Sequence, residues 1–497
     1  MPSFSSNVFR IALLTLILSA FALRVYKLDA QSLWYDEGVS AIVAQYDVAS
    51  LTRWTADDIQ PPLYYALLAG WGRLAGWGEW SLRFPSVFFG LLIVPLLSAL
   101  TIRWNRSRLA GRLAGLLAAL HPLLLYYSQE ARMYSLLVAL GIGIGYCVLR
   151  IAYWGGGEQA APAERGQGEK SSPGRPWLLW TVYVFAAVAS LYTHYFAAFL
   201  LLAINIAYLL DLSHISRFTP PVSPNTQYPI PNTLPWLLAN AAVLLLYAPW
   251  LGNLFTRLDV DASYWEGSLK LWEALRAIAI RFTSGETVLE GPATRLLWMY
   301  GAVTLAALVG QAVGDRGQVT GWQGDRVTES QPSRFTQYAI RNTQYAIRTI
   351  QYPLLLLLIP IAAVLTLASF TPKFNARYAM VALPGLLLIW SGGLAGLLRM
   401  FQPHPSPPHI GEGTESTLPQ FEGETASAPP PQRGRLGGGL LAGLQRAVQP
   451  HPSPPHIGEG TESTLPQFEG ETASAPPPPR GRLGGGLLAG LQRAVQP

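Results

Sequence analysis

An all-α polytopic membrane protein is the fold class this sequence predicts, a bundle of about 10–11 spanning helices with external juxtamembrane segments. Three observations predict it. Half of the 497 residues are hydrophobic and the mean hydropathy is +0.25, too apolar for a soluble chain. The apolar residues gather into runs of spanning length rather than into an amphipathic pattern. The arginines cluster in alternate loops between those runs, as the positive-inside rule requires.

The runs fall at about 8–28, 84–102, 113–127, 133–153, 177–192, 196–212, 235–251, 293–312, 353–370 and 379–398. The first, 8–28, reads as an uncleaved span, because Leu33-Trp34-Tyr35 follows it where a signal peptide would show small residues. A further apolar stretch at 62–77 opens with two prolines and is broken by Gly70, Gly72 and Arg73. It is expected to dip into the outer face without crossing. With Arg10 inside, Arg103, Arg106, Arg108, Arg112, Arg165, Lys170, Arg175 and the run from Arg316 to Arg348 then also fall inside. The competing count makes 62–77 a span and merges 113–153 into one.

The bundle is expected to occupy residues 1–400, with insert-like loops at 154–176, 213–234 and 313–352. Residues 335–351 stutter on the unit Thr-Gln-Tyr-Ala-Ile-Arg. The tail, 401–497, carries two 47-residue repeats, 402–448 and 449–495, which differ at Gln432 and Pro479. Rich in Pro, Gly, Ser and Glu, it cannot bury a core and is expected to be disordered. Its histidines lie among prolines, which favours an extended chain over a metal site. The single cysteine, Cys147, excludes a disulfide framework and a cysteine metal site. The net charge of +6 sits on loop arginines and speaks to topology, not to nucleic acid.

Under this topology the loops holding the informative residues share the outer face. Asp36 and Glu37, in Ser32-Leu-Trp-Tyr-Asp-Glu-Gly38, are adjacent acids at a membrane edge beside Trp34 and Tyr35. They read either as the acids of a helix start or as a proton acceptor with its neighbour. Asp57-Asp58-Ile-Gln-Pro-Pro-Leu-Tyr-Tyr65 contributes Asp58 and Tyr64, and Tyr126-Tyr-Ser-Gln-Glu-Ala-Arg-Met-Tyr134 contributes Glu130, Arg132 and Tyr134. Arg377 and Tyr378 precede the last span, and His194 lies between two others. Glu130 and Arg132 read as a local ion pair or as part of a phosphate site, for which the planar fork of Arg132 and Arg377 is suited. His194 reads first as a hydrogen-bonded interfacial histidine and second as a substrate contact. Tyr35, Tyr64, Tyr134 and Tyr378 are candidate sugar or phosphate contacts, with Asp58 and Glu130 beside them. Glu37 and Asp58 could ligate a hard divalent cation through oxygens, though phosphate release requires none.

No Walker or Rossmann glycine loop offers a nucleotide site. A transferase working at the outer face then needs a sugar activated on a lipid, and a polyprenyl phosphate leaves as a stable anion. One carboxylate to accept the acceptor's proton is enough, and a single displacement inverts the anomeric centre. Leu33-Trp-Tyr-Asp-Glu-Gly38, Gln60-Pro-Pro-Leu-Tyr-Tyr65, Leu82-Arg-Phe-Pro-Ser86 and Tyr127-Ser-Gln-Glu-Ala-Arg-Met-Tyr-Ser135 occur in order within residues 8–212. Together they resemble the bacterial relatives of protein O-mannosyltransferases and lipid A aminoarabinose transferases, the GT-C class, glycosyltransferase family 39. The resemblance implies a GT-C bundle in the plasma membrane with its active site facing outside. It implies a polyprenyl-phosphate sugar donor and a glycan, lipid or protein acceptor. Asp36 becomes the base with Glu37 as its neighbour, and Glu130 and Arg132 the external Glu/Arg element. Gln60 departs from the histidine many members carry before the two prolines. The rival readings are a polymerase or ligase of lipid-linked glycans, which would not need the early Asp-Glu, and a lipid or glycan transporter, which would show two related halves.

Overall fold

The computed structural model describes residues 4–58, 60–152, 176–218, 233–260, 270–320, 332–370 and 374–401, all within the unit Met1–Pro408. Residues 402–497, almost the whole of the expected loop 154–176 and most of the loop 213–234 lie outside the described residues. Every regular element among the described residues is helical. In chain order they are α1 (Phe4–Val25), α2 (Tyr35–Val43), α3 (Val48–Ala56), α4 (Leu63–Ala75), α5 (Glu79–Asn105), α6 (Arg108–Leu120), α7 (Pro122–Ser128) and α8 (Tyr134–Ala152). Then come α9 (Pro176–Thr193), α10 (Ala197–Phe218), α11 (Thr233–Val260), α12 (Leu271–Ser284), α13 (Glu290–Thr320) and α14 (Pro332–Phe370). A short 3-10 helix, Ala376–Ala382, leads into α15 (Leu383–Met400).

Six helices are long and apolar enough to cross a membrane: α5, α8, α11, α13, the outer part of α14 and the 3-10 helix with α15. The bent pair α6–α7 forms a seventh candidate, and α1, α9 and α10 contribute shorter apolar helices. These correspond one for one to the apolar runs of the sequence. Helix α4 covers 13 residues, about 20 Å at the α-helical rise. That is short of a hydrocarbon core roughly 30 Å thick, and α4 is not among the candidate spans. The merged 113–153 alternative does not occur, because residues 129–133 separate α7 from α8. Two expectations need correction. Residues 213–218, expected to open a loop, belong to α10, which ends at Phe218. Residues 313–352, expected as a loop, are helical over Glu290–Thr320 and Pro332–Phe370, with 321–331 outside the described residues. The stuttering unit repeats every seven residues, two turns of helix, so α14 runs straight through it.

Two devices bring α1, α6, α7 and the turn after α7 together. The chain bends by 54° between α6 and α7 at His121-Pro122. Proline has no N–H, so the carbonyl of Ala118, four residues earlier, loses its helical partner. Arg24, fully buried on α1, fills that gap. Its Nη2 donates to the Ala118 carbonyl at 3.0 Å, and its Nη1 donates to Ala119 at 3.2 Å and to Ala20 of its own helix at 3.1 Å. The open carbonyls at the end of α1 are met in turn by Gln129, whose Nε2 donates to Arg24 at 3.2 Å and Tyr26 at 2.9 Å. The chain leaves α1 through Lys27, in left-handed backbone at φ 52°.

Helices α13 and α15 approach through small residues, the usual means of close packing where lipid supplies no hydrophobic drive. A Cβ on Gly393 would lie 2.0 Å from the Ala307 carbonyl oxygen, and one on Gly396 would lie 2.1 Å from that of Gly310. Both neighbours are backbone, so neither can rotate away. Gly393→Ala is therefore expected to lower stability in detergent by about 3 kcal/mol, the upper range for overpacking. Gly143→Ala, in α8 with nothing within 4 Å of its Cβ position, should leave it unchanged. Thermal unfolding of the two variants side by side checks this.

Candidate active site

The site is assembled where the turn after α1, the 129–133 turn, the α9–α10 junction and the 3-10 helix meet. Asp36 and Glu37 both lie in the first turn of α2. Consecutive residues on a helix point about 100° apart, and here the two acids have separate partners. Glu37 turns inward, 1% exposed, and forms a two-pronged ion pair with Arg83 of α5. Arg83 Nε donates to Oε1 at 2.9 Å and Nη2 to Oε2 at 2.7 Å. The backbone N–H of Ala131 adds a bond to Oε1 at 2.8 Å, and that of Trp34 one to Oε2 at 3.4 Å. Arg83 spends its remaining donors on the carbonyls of Leu28, Gln31 and Ser32. The expectation that Glu37 shares in catalysis is corrected accordingly: both its oxygens are occupied, and it anchors the turn. For the same reason it does not fit a cation site with Asp58. Among the described residues no group of three His, Cys, Asp or Glu side chains is placed to hold a metal.

Asp36 faces the other way, toward two guanidinium groups. Its Oδ2 lies 3.1 Å from Arg377 Nη1 and 3.6 Å from Arg132 Nη2, while Arg132 Nη1 also donates to the Asp36 carbonyl at 3.2 Å. Arg132 and Arg377 each keep a buried Nε with no partner. Arg377 is placed by the 3-10 helix, whose cap is the Asn375 side chain accepting from the Arg377 N–H at 3.1 Å. Its guanidinium carbon sits 6.0 Å from the ring centres of Trp34, Tyr134 and Tyr378. Three aromatic walls around a cation of this kind stabilise it and exclude water.

His194 closes the same cluster. It is 4% exposed, with its ring 6.0 Å from that of Tyr134 and 5.9 Å from that of Tyr378. Burial, with the nearby charges of Arg132 and Arg377, lowers its pKa to about 3. Glu130 is buried in the 129–133 turn with Oε2 unpartnered. Burial pushes its pKa up to about 7, while the Tyr126 hydroxyl, Arg132 and Arg377 pull the other way.

The remaining expected residues are placed apart. Tyr35 is 75% exposed. Tyr64 is a buried strut: its hydroxyl meets Ser86 Oγ at 3.2 Å, and Ser86 donates to the Arg132 carbonyl at 3.0 Å. Through Ser86 it braces the backbone of Arg132. The neighbouring Tyr65 is equally buried, within the field of Arg132, Asp58 and Asp36. Asp58 is half-buried. Gln60 is buried with Oε1 unpartnered. Arg83 and Tyr65 were not singled out from the sequence. A lone arginine near the start of an apolar span was the available signal for Arg83, since such a charge requires a partner.

No protein-family model and no characterised protein sequence matches the chain. Among solved structures the chain is similar to ArnT from Cupriavidus metallidurans in the apo state, at 15% identity over 78% of this chain and 77% of that one, with a TM-score of 0.37. It is similar to the same protein bound to undecaprenyl phosphate at 16% identity, over 78% of each chain, with a TM-score of 0.35. A third likeness is to the Archaeoglobus fulgidus oligosaccharyltransferase in complex with Zn and sulfate, at 11% identity over 78% of this chain and 49% of that one, with a TM-score of 0.40. No residue role is transferred from them.

Glu130 makes the site's stability depend on pH. Its folded pKa of about 7 lies above the ordinary 4.5, so the unfolded chain gives up this proton first. The contribution is complete below about 4.5 and is lost as pH rises through about 7. Glu130→Gln should flatten that part of the stability profile between pH 5 and 8. Parallel slopes for wild type and variant in a detergent thermal-shift series would show that Glu130 is already ionised.

Proposed function

We propose that the chain is a membrane glycosyltransferase of GT-C type, moving a sugar from a polyprenyl-phosphate donor to a hydroxyl of a protein, lipid or glycan acceptor at the extracytoplasmic face. One observation carries this reading: a carboxylate, Asp36, held between two largely buried guanidinium groups with unpartnered Nε donors, at one end of a membrane bundle. Two fixed cations facing one carboxylate leave a positive seat, and a phosphate ester is the anion that a planar fork holds best. The aromatic walls of Trp34, Tyr134 and Tyr378 suit a sugar ring or lipid headgroup beside it. The resemblance in residues 33–38, 60–65, 82–86 and 127–135 points to the same chemistry.

In this reading the donor phosphate takes over the Arg132 and Arg377 donors that now hold Asp36. Asp36 is then released toward the acceptor hydroxyl. The hydroxyl oxygen attacks the anomeric carbon as its proton passes to Asp36. The bond from that carbon to the phosphate oxygen breaks, and polyprenyl phosphate leaves with the electron pair, stabilised by the two arginines. Attack from the face opposite the phosphate inverts the anomeric centre. Glu37 takes no proton in this sequence; it is a positioning residue that holds the turn carrying Asp36. Asp58, Tyr65, Tyr134 and Tyr378 form the edge along which the acceptor and sugar lie. No step requires a cation.

Release of polyprenyl phosphate from the purified chain, supplied with a membrane lipid extract and acceptor fraction, tests the reading, with mass spectrometry of envelope glycans identifying the product. Asp36→Asn should cut turnover by about a hundredfold or more, the usual scale for a lost general base. It should not weaken polyprenyl-phosphate binding, since it removes a competitor for the arginines. Arg132→Ala should weaken that binding by about tenfold or more along with the rate. An Asp36→Asn variant with near-normal turnover removes the base assignment.

A further inference from the structure

His194 carries more than its packing explains. The backbone N–H of Phe196 donates to its Nδ1 at 3.1 Å. An accepting Nδ1 carries no proton in the neutral ring, so the proton is on Nε2. Nε2 is buried and has no partner. The ring packs against Tyr134 and Tyr378, two of the rings that wall Arg377, and against Phe196 at 5.1 Å. A buried N–H without a partner is costly, and here the three-residue junction between α9 and α10 holds the ring within reach of the charges of Arg132 and Arg377, each of which also keeps a buried, unpartnered Nε. Three buried donors without an acceptor in one cluster suit an oxyanion.

We propose that His194 is a neutral hydrogen-bond donor to a phosphoryl oxygen of the lipid-phosphate substrate, with its proton fixed on Nε2 by the Phe196 backbone. The proposal rests on the lipid-phosphate reading of the Arg132–Arg377 seat and deepens it. The groups facing the ring are Tyr134 from α8, Arg132 from the preceding turn, and Arg377 and Tyr378 from the 3-10 helix. Burial and the charges of Arg132 and Arg377 lower its pKa to about 3, so the ring stays uncharged and a donor above that pH. A third cation there would repel the first two; a neutral N–H adds a directed contact without adding charge.

The test is equilibrium binding of a polyprenyl phosphate, without sugar, to the purified full chain in detergent, with the corresponding polyprenol as control. His194→Gln places an amide N–H near the Nε2 position. His194→Asn offers its amide oxygen to the Phe196 N–H but loses the outer donor. The expected result is that His194→Asn weakens phosphate binding by about tenfold or more, the scale for a hydrogen bond to a charged group. His194→Gln should stay within about threefold, and polyprenol binding should not change. The gap between wild type and His194→Asn should be the same from pH 5.5 to 8.5, because the donor does not titrate there. Equal losses in both variants, or none in either, would overturn the proposal, as would a gap that closes at high pH and so marks a cation. In those cases Arg132→Ala and Arg377→Ala should still weaken binding, and the lipid-phosphate reading stands. If both arginine variants bind as wild type does, that reading fails and His194's role fails with it.

Discussion

The bond between Glu37 and Arg83 is the constraint on which the site depends. It joins the first turn of α2 to α5, and the same two side chains also tie down the backbone at Leu28, Gln31, Ser32, Trp34 and Ala131. Breaking a buried, hydrogen-bonded pair by removing one partner leaves an uncompensated charge, at about 3–5 kcal/mol. The consequence for chemistry is angular. Once Glu37 is fixed inward, helical geometry leaves Asp36 one direction, and that direction meets Arg377 and Arg132. Neighbouring acids thus divide, one holding the turn and the other meeting the two arginines.

The charge balance of the cluster favours the anion seat that the proposed function requires. Arg132 and Arg377 are permanently charged and largely buried, and Asp36 is the ionised group paired with both. Glu130, the other nearby carboxyl, resists ionisation because burial costs it more than the arginines return. To the extent that Glu130 stays protonated, the cluster keeps a positive excess. Asp36 in turn keeps the two guanidinium groups tolerable before a substrate arrives. Under the proposed function, a phosphate would compete with that carboxylate for the same donors, which would link occupation of the seat to release of Asp36.

The ten apolar runs were legible because a spanning helix announces itself by length and apolarity alone, and each run has its helix in the structure. The convergence of Asp36, Arg132, Arg377 and His194 was legible in part. Charges at span ends of a chain this apolar have few places to go, and topology puts those ends together. What the linear pattern could not supply was phase. Asp36 and Glu37, or Tyr64 and Tyr65, are equivalent in sequence, and a rotation of about 100° decides which one meets the cluster. In the first pair the inward partner is the structural one; in the second, Tyr64 braces Ser86 while Tyr65 lies within the field of Asp36 and Arg132. Arg83 was hidden for a different reason: its partner lies 46 residues away in sequence. The helical stretch of α14 was misjudged because polar repeats suggested an insert, although a seven-residue period fits a helix as well.

Proline and arginine together make the site stiff at a membrane edge, where water cannot be relied on to satisfy open backbone. Pro122 breaks the α6–α7 helix and frees a carbonyl that would be costly in an apolar setting. Arg24 reaches across from α1 to meet it, and Gln129 returns the favour at the end of α1. Gly90 permits this, since a Cβ there would lie 3.3 Å from Arg24 Nε and closer still to Ser128. The 129–133 turn is thereby held at one end by Gln129 on α1 and in its middle by Ala131 on Glu37. Arg132 sits one residue beyond that second hold. A guanidinium on a turn held at both points has little freedom left to lose when a phosphate binds, so more of each hydrogen bond's energy goes into affinity than into ordering the site.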